Sequence, residues 1–139
     1  MESFLVDGGW LLVLSPGEEI MGSLKYLCRE KAISNGRISG IGSLGSATIG
    51  FFDLTKKAYV PRKLDEPLEL INLMGNVMLV DGDPFIHAHA SLGRADYRVI
   101  GGHLVEGVVN VTGEIWIRES KSIIERKLDE RTGLKLIGE

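Results

Sequence analysis

The chain has 139 residues, 44% hydrophobic and 25% charged, which suits one globular domain over residues 1–139 with a core that needs no covalent staple. A formal net charge of -3 provides no bulk attraction for nucleic acid, although local basic patches stay open. The single cysteine, Cys28, excludes an internal disulfide, and no apolar run approaches the roughly 20 residues that a membrane-spanning helix requires.

Residues 1–7 lack the basic region and long apolar run of a secretory signal. With one unpaired cysteine, this predicts a protein of the reducing cytoplasm, without a membrane segment. Residues 10–14 form a short apolar run and a predicted first strand. Ser15-Pro16-Gly17-Glu18-Glu19 has the pattern of a helix start, with Ser as cap, Pro at the first position and early carboxylates facing the dipole. Ile20, Leu24, Leu27 and Lys31 fall on one stripe, with Met21 and Cys28 beside it, so the helix buries one face. Asn35-Gly36 is the predicted stop.

From Arg37 the hydrophobic period changes. Residues 37–44, 47–53, 69–73, 76–80, 85–92, 98–105 and 108–117 are predicted strands, with short, often Gly-containing connections as antiparallel hairpins require. Residues 122–128 fit either a strand or a short helix, 129–133 form a turn cluster, and 134–137 form a short final strand. One principal helix near the N-terminus and many antiparallel strands predict an α+β domain. A single helix cannot cover a large sheet, so another subunit covers the remainder or the sheet curls on itself.

The three histidines all lie between positions 87 and 103. His87 and His89 stand two apart in a predicted strand, so their side chains share a face about 6.5 Å apart along the strand. With a loop at 94–96, residue 93 faces 97 and His87 faces His103, leaving His89 as the diagonal neighbour. A register slip of one residue would turn His103 away. Three neutral imidazoles suit zinc with an open fourth position, although nickel, copper, cobalt and iron accept the same donors. A His-x-His pair alone is more often two solvated side chains; the third histidine across a short hairpin is what favours a metal. Gly101 and Gly102 are expected to leave room for a ligand beside the ion. Glu114, on the following strand, is a weak candidate for a catalytic base or a hydrogen-bond partner of a ligand, with an exposed strand carboxylate slightly favoured.

Other signals carry less. Gly40-Ile41-Gly42-Ser43-Leu44-Gly45 matches a dinucleotide fingerprint, but a predicted strand follows it where a helix is required; its glycines suit a bend or a close-packed interface. Asn110-Val111-Thr112 is a glycosylation sequon by pattern only. Cys28 is expected in the core, and Lys56-Lys57 with Arg62-Lys63 in a solvated basic loop. Ser15 and Ser43 have no nucleophile signature.

The pair of motifs His87-Ala88-His89-Ala90-Ser91-Leu92 and Gly101-Gly102-His103-Leu104 resembles the PPC domain (plant and prokaryote conserved domain, also called DUF296), in its stand-alone prokaryotic form. Gly40-Ile41-Gly42-Ser43, Ala47-Thr48-Ile49-Gly50, Leu68 to Asn76, Thr112-Gly113-Glu114-Ile115 and Arg126-Lys127-Leu128-Asp129 through Thr132-Gly133-Leu134 agree with it, so the likeness covers residues 8–137. The resemblance implies an α+β fold on a largely antiparallel sheet, a homotrimer, and a metal on His87, His89 and His103. The AT-hook core Arg-Gly-Arg-Pro that accompanies the domain in plant DNA-binding proteins is absent, so DNA binding does not carry over residue by residue. The first functional expectation is therefore a metal-binding oligomer acting on or sensing a small molecule, with hydrolysis by metal-activated water the simplest chemistry if it is an enzyme. A DNA-associated regulator and a structural trimer rigidified by metal are the alternatives.

Overall fold

The computed structural model describes residues 1–138. In chain order these form β1 (Glu2–Val6), β2 (Gly9–Leu14), α1 (Ile20–Glu30), β3 (Gly36–Asp53), β4 (Ala58–Leu64), β5 (Leu68–Val80), β6 (Asp83–Gly93), β7 (Val99–Glu119), β8 (Arg126–Leu128) and β9 (Lys135–Ile137). This is the expected α+β architecture, a mostly antiparallel sheet with one helix near the N-terminus.

Several boundaries differ from the sequence expectation, each for a local reason. The first strand has a partner, β1, joined to it by the two-residue turn Asp7-Gly8, with Gly8 at φ 81°. Gly8 takes this left-handed conformation without strain, while Asp7 does not enter the positive-φ region. The helix starts at Ile20 rather than at Pro16: the Glu19 side chain, not Ser15, accepts from the backbone N–H groups of Met21 and Gly22. It ends at Glu30 rather than at Asn35, because Ala32 takes a left-handed conformation (φ 55°) and Ile33 N–H returns to the Cys28 carbonyl. The expected basic loop contains β4, where Arg62 and Lys63 lie on a strand paired with β3.

Three pairs of predicted strands are single long strands. In β5 the supposed break, Gly75, lies opposite Ala88; a Cβ there would come within 2.4 Å of the His87 carbonyl oxygen. The glycine permits close approach and does not interrupt the strand. β3 and β7 each run through their glycines with register shifts, among them Gly42/Leu44 and Thr48/Ile49, that bend them. In the same way the Gly40–Gly45 motif lies within β3, and a Cβ on Gly42 would stand 2.4 Å from the Thr112 carbonyl oxygen.

The bent strands close the sheet. The order is β1-β2-β7-β6-β5-β3-β4, with β3 also paired to β7, so β7, β6, β5 and β3 form a ring. On the inner side of β6 lie Ile86, Ala88, Ala90 and Leu92, in one buried cluster with Ile20, Leu24, Leu27 and Cys28 of α1. Cys28 is fully buried, and burial first, with Glu119 second, pushes its thiol up to about 12. No described helix is long and apolar enough to cross a membrane. Ile41, Ile71, Val111 and Phe51 remain exposed on the outside.

Candidate metal centre

Alternation along β6 decides where the histidines go. Ile86, Ala88 and Ala90 face the core, so His87 and His89 emerge on the opposite side. Leu104 of β7 is likewise buried, which puts His103 on the histidine side. The register is not the expected one. Gly93 faces Val99, so His103 lies across from His89, and His87 is opposite Asn76 of β5. The turn spans 94–98, closed by hydrogen bonds from Arg94 N–H to the Arg98 carbonyl and from Tyr97 N–H to the Arg94 carbonyl. This is two residues longer than assumed. A slip by two keeps the face, so the three rings still converge.

One ligand atom from each of His87, His89 and His103 lies within 4.8 Å of the other two. Nε2 of His87 and Nε2 of His89 are 3.3 Å apart. Two nitrogens at the zinc–imidazole bond length around a tetrahedral ion would stand about 3.3 Å apart. Ring centroids are separated by 5.2 to 5.6 Å. The donor set and its spacing therefore fit a divalent transition metal.

The surrounding side chains hold the rings. Tyr59 of β4 stacks on His103 at 4.4 Å and 24°. Gly50, opposite His103 on β3, makes this possible, since a Cβ there would meet the Tyr59 ring at 2.9 Å. Arg126 of β8 donates through Nη2 to Asn76 Oδ1 (2.9 Å) and His87 Nδ1 (3.2 Å), and through Nη1 to the Lys135 carbonyl (2.9 Å). Its guanidinium lies 5.5 Å from the Phe85 ring centroid. A guanidinium only donates, so in this contact His87 accepts at Nδ1 and carries its proton on Nε2. Ligating an ion through Nε2 requires that proton to move to Nδ1 and the Arg126 contact to open. Among the described residues, two buried side-chain nitrogens have no hydrogen-bond partner: His103 Nδ1 and Arg126 Nε. Such atoms are rare in folded proteins and mark a demand left for something else to meet.

Burial favours the neutral form of His87 and of His103. Burial, then the Arg126 guanidinium, then His103 and His89, push His87 down to about 4. Burial, followed by His89, lowers His103. Burial also lowers Arg126, against the pull of Tyr59. Neutral imidazole is the ligating form.

One expectation fails. Gly101 and Gly102 do not leave room for a ligand: Cβ atoms there would meet the Ala90 carbonyl oxygen at 2.5 Å and the Gly50 carbonyl oxygen at 2.9 Å. They serve strand packing. Glu114 is the exposed strand carboxylate favoured from the sequence, facing Val13 and Ile41 and lining a separate cleft with Glu69 and Ile71. It stands eleven residues beyond His103, roughly 35 Å of extended strand, and does not join the histidine group. Conversely, Arg126, Asn76 and Tyr59 carried no signal of a role in the sequence, because each approaches from a different element.

A closed, largely antiparallel sheet with one helix on its core and three imidazoles on its outer side places the chain in the class of small α+β domains with a candidate metal site. The chain belongs to the Plants and Prokaryotes Conserved (PCC, also PPC) domain family, which matches residues 3–121. It is similar to a PPC protein from Pyrococcus horikoshii (44% identity, 93% of this chain and 90% of that one, TM-score 0.87). It is also similar to a metal-containing protein from Archaeoglobus fulgidus (41% identity, 94% and 93% covered, TM-score 0.86). A protein from Bacteroides thetaiotaomicron, provisionally described as DNA-binding, shares 30% identity over 99% of this chain and 96% of that one, with a TM-score of 0.95. No curated protein matches the sequence.

Proposed function

We propose that this chain binds a divalent metal, zinc, on His87, His89 and His103, and presents an open coordination position to a small molecule. The 3.3 Å separation of the two Nε2 atoms carries this reading. The Archaeoglobus relative, described as metal-containing, supports it. Zinc on three imidazoles supplies Lewis acidity at its open position. The chain's own part is burial, which favours the neutral form of His87 and His103, and the Tyr59 ring stacked on His103. Metal analysis of untagged protein tests the reading. Zinc at one equivalent per chain is expected, raising stability by about 2.7 kcal/mol at a free concentration 100 times Kd. His103→Ala abolishes that increment. An increment that survives His103→Ala ends the proposal; another metal at one equivalent replaces zinc.

Exposed Ile41, Ile71, Val111 and Phe51 support self-association, and the family resemblance makes a homotrimer the expected assembly. If the metal only rigidifies that trimer, His103→Ala costs stability without changing ligand binding. A second reading, association with DNA, rests on the provisional description of the Bacteroides relative. It requires a basic surface created by assembly, since the chain carries -3. Duplex titrations at several salt concentrations decide it, and absence of binding at low salt removes it. The buried, protonated Cys28 agrees with a reducing cytoplasm.

A further inference from the structure

Among the described residues, Arg126 is a buried cation with no anion. Only 7% of it is exposed, yet all three acceptors it reaches are neutral: the Lys135 carbonyl, the Asn76 amide and the His87 ring. Its Nε–H has no acceptor. Ionised side chains at this depth are normally paired, because desolvation penalises an isolated charge heavily. Nearby Lys135 contrasts with it, standing 3.6 Å from Asp81.

The histidine group beside Arg126 adds no negative charge either. Among the described residues no Asp or Glu joins the three imidazoles. A divalent ion there would add two positive charges to one that is already unbalanced, in a setting where water screens poorly. Among the described residues, therefore, nothing supplies the anion that this site calls for.

The adjoining cleft limits which anion. It is walled by Tyr59, Phe85, His87, His103, Leu134 and Leu136 together with Lys135, measures about 80 Å³, and has Arg126 behind its Phe85 and His87 walls. That is the volume of two or three liquid waters, at about 30 Å³ each. Its walls are mainly apolar. A phosphate needs donors around all of its oxygens, whereas a carboxylate needs them at one end and tolerates hydrocarbon at the other.

We propose that the open side of the metal site binds a short-chain carboxylate, its charge drawn by the metal and Arg126 and its apolar end set against Phe85, Leu134 and Leu136. This inference rests on the metal reading above. The test uses the full chain loaded with Co²⁺, whose visible spectrum reports both events. Adding Co²⁺ gives a tetrahedral spectrum, and acetate, propionate or butyrate then shifts it saturably. At saturating Co²⁺, Arg126→Gln weakens the carboxylate response about tenfold or more relative to the wild-type chain, as loss of a charged partner predicts. Leu134→Phe, which leaves Arg126 intact and fills the cleft, weakens butyrate more than acetate; it serves where Arg126→Gln does not fold. A Co²⁺ spectrum unmoved by carboxylates, moved equally by phosphate, or equally responsive in both variants overturns the carboxylate proposal and leaves the metal reading standing. Absence of any tetrahedral Co²⁺ spectrum in the wild-type chain removes both.

Discussion

The two sides of β6 make opposite statements about completeness. On the inner side, Ile86, Ala88, Ala90 and Leu92 share a closed hydrophobic cluster with α1. On the outer side, two residues of the same strand meet a third imidazole, an uncompensated guanidinium and two partnerless buried nitrogens. The first side is finished by the chain itself. The second leaves polar demands that an added cation and anion would meet. A single strand thus separates what holds the molecule together from what it offers to a ligand.

The sharpest way to break this contrast is on the inner side. Leu24→Ala removes a fully buried side chain of α1 and should cost about 2–5 kcal/mol in urea unfolding. Zinc affinity of the folded fraction should be unchanged, since Leu24 lies in the core cluster and the histidines on the opposite side of β6. A matching loss of zinc affinity would show that the two sides are coupled.

Acid is the next probe, applied to metal-free protein. His87 ordinarily titrates near 6.5 and is held at about 4 in the fold, so the unfolded chain binds the proton more readily. Its contribution is therefore complete above pH 6.5 and is lost as pH falls from 6.5 towards 4. Thermal melts across that window should show Tm declining, with a weaker decline in His87→Gln. Equal decline in both proteins would exclude His87 as the source.

The smallest effect is expected at Gly50→Ala. The new Cβ would meet the Tyr59 ring at 2.9 Å and displace it from His103. Stability should drop by about 1 kcal/mol, the lower end of overpacking costs. Zinc affinity, measured by chelator competition, should fall several-fold. Unchanged affinity would mean that the stack does not orient His103.

Much of this was legible in the sequence, and the exceptions are instructive. Period-two alternation put His87 and His89 on one face whatever the strand's partners, and a hairpin brought His103 back beside them. The predicted pairing of His87 with His103 failed because the 94–98 turn is longer than its sequence suggests, yet the even shift preserved the face. Helix limits moved because Glu19 and Ala32, neither an obvious terminator, supplied the cap and the left-handed residue.

Glycines were the main source of misreading. At Gly75 and in the pair Gly101-Gly102, a missing side chain can signal a break, a ligand space or a close backbone, and only the neighbour decides which. By itself, then, the amino-acid order determined the α+β class, the buried face of α1 and the grouping of three imidazoles, because these follow from periodicity within single elements. The closure of β3 on β7, the burial of Arg126 against His87 and the exclusion of Glu114 were decided by tertiary structure. Each depends on contacts between residues far apart in the chain, for which local patterning has no term.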